Sequence, residues 1–287
     1  MSITSSAVLV EMNISVWTAN KLDKDATNKV VTDAAAVANA AQVRKNLMAG
    51  TTMRKSISDY AAGCRLWHNT RSVPWSDKGS RLLPTSLFLD YKAEANVRRD
   101  TFNRMVDDFM QAYPALVQTA QNYLGSLANL DDYPSEDEVR EKFGFRLVFS
   151  PVPESGDFRL DVAAQELDDL RQQYDAAFNT RLADAMREPW ERLHKLLSAM
   201  SEKLTDTEQS GDDEPKKRYH DTLITNAQGL CSMLTHLNVT KDPKLEEARR
   251  QLELVMVGAD IDQIKESPEV RKGMKDKLDA ILKQYEW

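Results

Sequence analysis

The chain has 287 residues, with 38 Lys and Arg against 45 Asp and Glu, for a net charge of -7. Its 41% hydrophobic and 29% charged content is that of a globular chain long enough to bury a core, which excludes wholesale disorder. The apolar runs are all far shorter than a membrane span, and Met1–Trp17 carries no basic region ahead of its apolar part, so neither a spanning helix nor a secretory signal is read and a cytoplasmic location is expected.

Residues 8–16 alternate strictly, with Val8, Val10, Met12, Ile14 and Val16 facing one way, which predicts a half-buried strand. Residues 24–48 are Ala-rich and read as a helix with little large apolar surface. A second helix over 52–70 carries Ile57, Tyr60, Ala61, Cys64 and Trp67. The Pro- and Gly-bearing stretch 72–81 reads as a loop. A long apolar stripe from Phe88 to Leu127 predicts a helix to about 128, kinked or broken at Pro114. Ser135 and Glu138 form a capping-box signal for a short helix. A second alternating strand follows at 143–149 and is ended by Pro151 and Pro153. The two strands are expected to pair and to pack on helices, since alone they would be marginal.

Beyond Asp157 an apolar stripe steps by threes and fours from Leu160 to Leu204, nearer an 11-residue repeat than a heptad. It predicts a long helix kinked at Pro189, with a split into two antiparallel helices there as the alternative. The stripe could be covered by the chain's own helices or by a second copy, making a homo-oligomer through 160–204. Residues 205–215 are polar, acidic and without period, as in a connecting segment. Three or four short helices fill 216–287, with breaks near Asn238–Pro243 and Ser267–Pro268. The expected architecture is mainly α: an elongated helical bundle with a long kinked helix and a small two-stranded β-sheet. Its segments are an α+β domain at 1–156, the long helix at 157–206, an acidic linker at 207–215 and a C-terminal helical module at 216–287.

No motif of catalysis or cofactor binding is present. The four histidines (His68, His194, His220, His236) stand at no metal-ligand spacing with Cys or carboxylates, and phosphate-binding Gly loops and a nucleophile elbow are absent. Cys64 and Cys231 lie far apart in helix-like sequence and read as buried free thiols. His194 and Trp190 share a face of the long helix, which reads as packing. No enzyme activity, metal or cofactor is therefore expected.

One segment departs from the acidic average. Between Arg44 and Arg81 eight cations (Arg44, Lys45, Arg54, Lys55, Arg65, Arg71, Lys78, Arg81) meet only Asp59 and Asp77. Single-stranded nucleic acid is held by cations on its phosphates and flat side chains under its bases. Arg54, Lys55, Arg65, Arg71, Lys78 and Arg81 would supply the first, and Trp67 and Trp75 the second. On the alternative reading the tryptophans anchor the loop to the core and the cations pair with the acidic long helix. Arg98 or Arg99 must lie near the buried face of its helix, either in an interior ion pair or as an extension of the basic surface. Residues 101–287 hold 24 Lys and Arg against 36 Asp and Glu, so an acidic helical surface that binds an enzyme, as adaptor or inhibitor, is the second functional reading.

The segments Val-Pro-Trp-Ser-Asp-Lys-Gly-Ser-Arg-Leu-Leu-Pro (73–84), Asp-Thr-Leu-Ile-Thr-Asn-Ala-Gln-Gly-Leu-Cys (221–231) and Leu-Asn-Val-Thr-Lys-Asp-Pro (237–243) resemble patterns in helical proteins of tailed bacteriophages and prophages. The resemblance implies a viral or prophage origin and a role in genome metabolism or host takeover, and it carries over no catalytic residues.

Overall fold

The structure is a computed structural model that describes residues 3–76, 79–153, 164–205, 219–285 and 287. Among the described residues the helices are α1 (Ile3–Ser6), α2 (Lys24–Asp33), α3 (Met53–Thr70), α4 (Phe88–Leu124), α5 (Glu136–Arg140), α6 (Ala164–Leu204), α7 (Thr222–Leu237), α8 (Pro243–Met256), α9 (Ile261–Glu266) and α10 (Pro268–Gln284). The strands are β1 (Ala7–Ser15), β2 (Asn20–Asp23), β3 (Val43–Asn46), β4 (Val73–Pro74), β5 (Arg81–Pro84) and β6 (Gly144–Ser150). The mainly α class is as expected.

The sheet is larger than the sequence predicts. Strands run in the order β4-β5-β1-β6, and a separate antiparallel pair joins β2 to β3. The two alternating strands are neighbours, as expected, but β1 also pairs antiparallel with β5, Ala7 opposite Pro84 and Val10 opposite Arg81. Residues 72–84 are therefore a short hairpin and not only a loop, with Val73 opposite Leu82. Strands of two and four residues are too short to show an alternation.

The predicted helix over 24–48 is corrected as well: α2 stops at Asp33 and the chain returns as β3. Ala35 takes a positive φ of 49°, which ends the helix, and Asn20 to Asp23 pair with Asn46 to Val43. This stretch offers no apolar stripe to hold a longer helix against a core, so strand pairing prevails over alanine's helix propensity. Ser135 and Glu138 form the expected capping box at α5. Helix α4 continues through Pro114 and α6 through Pro189, so no antiparallel turn forms at Pro189. At about 1.5 Å per residue the 41 residues of α6 extend for about 60 Å. The acidic linker at 207–215 and the first turns of the predicted long helix lie outside the described residues.

The chain divides into two compact units that are discontinuous in sequence, which differs from the linear division expected near residue 156. Unit 1 comprises 1–11, 69–91 and 149–287; unit 2 comprises 12–68 and 92–148. In unit 2, Trp17, Ile57, Ala61, Phe102, Phe109 and Tyr113 form the core. Their rings pack at an angle, with Trp17 5.9 Å from Tyr113 and Phe109 5.6 Å from Phe143 between centroids. Unit 1 has two cores. One lies among α6, α7, α8, α9 and α10, with Leu197, Met200, Leu234, Leu252 and Leu278 at its centre. The other sets Ala7, Val73, Trp75 and Leu82 against Phe178, Leu182 and Ala185 of α6. From Phe178 to Leu204 the apolar stripe of α6 packs against other parts of its own unit.

Gly50 has φ +72°, and a Cβ there would sit 2.3 Å from the Tyr123 ring. Gly63, by contrast, is exposed within α3 with open space where a Cβ would go. In urea unfolding, Gly50→Ala is expected to destabilise by about 2 kcal/mol through strain and overpacking, and Gly63→Ala to stabilise by about 0.5–1 kcal/mol.

Candidate functional site

Seven of the eight predicted nucleic-acid contacts lie among the described residues; they fall in both units, and most have internal partners. In unit 2, Arg54 on α3 donates to the Thr18 carbonyl at 3.0 Å, and Arg65 donates to the Ile14 carbonyl at 2.7 Å. These guanidinium groups hold the chain that leaves β1. Lys55 pairs with Asp59 one turn on, both side chains being well exposed. Trp67 is 7% exposed and packs under the Arg98 guanidinium, whose carbon lies 4.7 Å from the ring centroid. Arg98 also pairs with Glu94 at 2.8 Å. It is the arginine at the buried face of α4, and its acid is on its own helix, not on the long one.

In unit 1, Trp75 is also 7% exposed and meets Phe178 of α6 edge-on, with centroids 5.2 Å apart. Arg81 donates to the Ser72 hydroxyl and carbonyl, both at 2.9 Å, and meets Glu188 of α6 at 3.4 Å. Burial pulls its pKa down, Glu188 opposing that shift. Arg192 completes the arrangement: it donates to the carbonyls of Asn69 at 2.6 Å, Thr70 at 2.8 Å and Ser72 at 2.9 Å, and pairs with Glu188 at 2.9 Å. Two cations thus satisfy the carbonyls at the end of α3, where the helix dipole favours positive charge. Arg71 donates to Thr70 at 3.3 Å, and Lys78 lies outside the described residues. Trp67 and Trp75 offer no exposed ring face for stacking, so that part of the expectation is corrected: both indoles are core.

Three clefts remain as candidates. In unit 2, a cleft of about 660 Å³ has Lys45 at its base. That ammonium is buried between Asp132 and Asp23, at 3.4 Å from Asp23, and donates to the Leu127 carbonyl at 2.9 Å. Its partners, Asp132 first, hold its pKa above the usual lysine value. It is saturated and acts as a tie between β3 and the 127–132 segment. In unit 1, a cleft of about 510 Å³ between α7 and α8 is lined by Cys231, His236, Arg249 and Glu253. Arg249 is fully engaged there, with Glu246 at 2.8 and 2.9 Å and Glu253 at 2.9 Å. Burial pushes the Cys231 thiol up to about 11, so it is neutral and a poor nucleophile near pH 7.

The third cleft, of about 750 Å³, has a different character. Trp190 of α6 and Tyr285, just past α10, form its apolar wall, with centroids 5.5 Å apart. Trp287 packs behind them, 5.4 Å from Trp190 and 5.0 Å from His194. The Trp190 Nε1 donates to Asp242 Oδ2 at 3.1 Å. Asp242 in turn caps α8, its Oδ1 accepting from the Lys244 amide at 2.9 Å, and its backbone is clamped at both ends by the Asn238 side chain. The indole orientation is thereby fixed by a helix cap. Lys244, Glu247 and Gln284 make the rim. Burial raises the Tyr285 phenol, and the Glu247 carboxylate raises it further. The face shared by Trp190 and His194 was legible in the sequence, but Tyr285, Trp287, Asp242 and Glu247 were not. No local spacing links 190 with 242 and 285.

Among the described residues no group of three His, Cys, Asp or Glu could hold a metal ion, and no helix is long and apolar enough to cross a membrane.

In thermal or urea unfolding, Arg81→Ala is expected to cost about 2–3 kcal/mol and Trp75→Ala about 3–5 kcal/mol, against less than about 0.5 kcal/mol for Lys55→Ala. Arg249 draws the Glu246 carboxyl down to about 2, below the roughly 4.3 of an unfolded chain. The resulting stability is present above about pH 4.5 and is lost as pH falls toward 2, so Glu246→Gln should cost about 1–2 kcal/mol at pH 7 and little at pH 2, read by denaturation midpoints at both pH values.

Comparison with known proteins finds no match for this chain among protein-family models, curated proteins or solved structures.

Proposed function

We propose that this protein works by binding another protein, as an adaptor or inhibitor without catalysis of its own, and that the Trp190–Tyr285 cleft on the long helix is the docking site. The observation that carries this reading is the cleft itself. It joins partly exposed aromatic rings, a fixed hydrogen-bonded carboxylate and a charged rim on a rigid helical support. Aromatic anchors with a polar rim are the composition of interface centres, where rigid side chains are ordered at low entropic cost. The acidic balance of residues 101–287 supports a partner with a basic surface. Under the resemblance to phage and prophage proteins, that partner would be a host or phage enzyme.

Nucleic-acid binding through 44–81 has less support. Arg54, Lys55, Arg65, Arg71 and Arg81 have partners within the chain, and both predicted stacking rings are buried.

The test is photo-crosslinking in cells of the producing organism, with a benzophenone side chain at position 244 and, as control, at the exposed position 137 of unit 2. A discrete protein adduct at 244 that is absent at 137, and lost when Trp190→Ala is added, is the expected result. Equal labelling at both positions would overturn the reading. So would salt-sensitive binding of a labelled single strand with no protein adduct at 244.

A further inference from the structure

The chemistry of the same cleft narrows the partner further. Both oxygens of Asp242 are engaged, one by the Trp190 indole and one by the Lys244 amide. Glu247 is exposed, with Oε1 accepting from Gln251 at 3.1 Å, and it lines the cleft together with Tyr285. The wall is thus two electron-rich ring faces, and the open carboxylate stands on the rim next to them. A neutral apolar side chain would fill the wall and make no use of the Glu247 charge. An acidic one would be repelled by Glu247 and Asp242. A planar cation satisfies both elements, since guanidinium stacks on an aromatic face and donates in its own plane to a carboxylate. The Trp190 and Tyr285 rings are tilted by 49°, not stacked in parallel.

We infer that the Trp190–Tyr285–Glu247 cleft is a receptor for one arginine side chain of a basic peptide segment in the partner. This rests on the docking reading above and adds the residue that is recognised. The Lys45 and Arg249 clefts lack this combination: their buried cations are already matched by carboxylates of the chain. Lys244, three residues before Glu247 on α8, works against a cation and sets a limit on affinity.

The experiment uses the full chain, with indole N–H signals followed by NMR as a short peptide with one central arginine is added. A matched peptide carrying citrulline, which keeps the shape and loses the charge, is the comparison. Expected are shifts confined to the Trp190 and Trp287 indoles and binding about tenfold tighter for arginine than for citrulline. Glu247→Gln, an exposed substitution that leaves the fold intact, should abolish most of that preference, while Lys244→Gln should strengthen arginine binding. Equal binding of the two peptides, or a preference unchanged by Glu247→Gln, would overturn the inference. The docking reading would then stand or fall on the crosslink at position 244, which does not depend on charge.

Discussion

Glu188 sits between two guanidinium groups, Arg81 from β5 and Arg192 from its own helix, and much of unit 1 depends on that meeting. Both cations reach carbonyls at the end of α3 and that of Ser72, two residues beyond it. The last carbonyls of a helix need donors, and a largely buried guanidinium needs acceptors. Here each meets the other's need. The same contact fixes α6 against the β4–β5 hairpin, and the apolar residues beside it, Trp75, Phe178, Leu182 and Ala185, close the small core. Because Glu188 immediately precedes Pro189 and Trp190, the ion cluster and the aromatic cleft are carried by one turn of one helix.

The basic segment 44–81 shows how a composition signal can record charge without recording its partners. Its excess of cations is real, yet Arg54 and Arg65 are spent on backbone carbonyls at the exit of β1, Lys45 on two aspartates, and Arg81 on the end of α3. Backbone carbonyls are acceptors that a count of Asp and Glu does not include. An arginine can therefore be fully satisfied in a segment that looks unbalanced on paper. Trp67 and Trp75 follow the same logic, one beneath Arg98 and one against Phe178.

In the cleft, the roles are divided by rigidity. Asp242 is held by the Asn238 side chain and by its own helix cap, so its hydrogen bond to Trp190 costs little to maintain. Trp287 and His194 back the wall. Glu247 and Lys244, both exposed, are left to set charge at the rim. A recognition surface needs this division: fixed apolar planes for fit and exposed charges for selectivity.

Local order was determined by the sequence. Strict alternation marked β1 and β6, threefold and fourfold steps marked α3, α4 and α6, and Ser135 with Glu138 marked the start of α5. These signals are carried by neighbours a few residues apart, and their physics is local. The short strands β4 and β5, the turn that ends α2, the interleaved assembly of the two units and the burial of Trp67 and Trp75 were decided only by tertiary structure. So was the cleft, whose members Trp190, Asp242, Glu247 and Tyr285 come from three separate parts of the chain. Each of these features rests on contacts between residues far apart in sequence, and periodicity and composition record what a residue is next to along the chain, not what it will meet when the chain closes on itself.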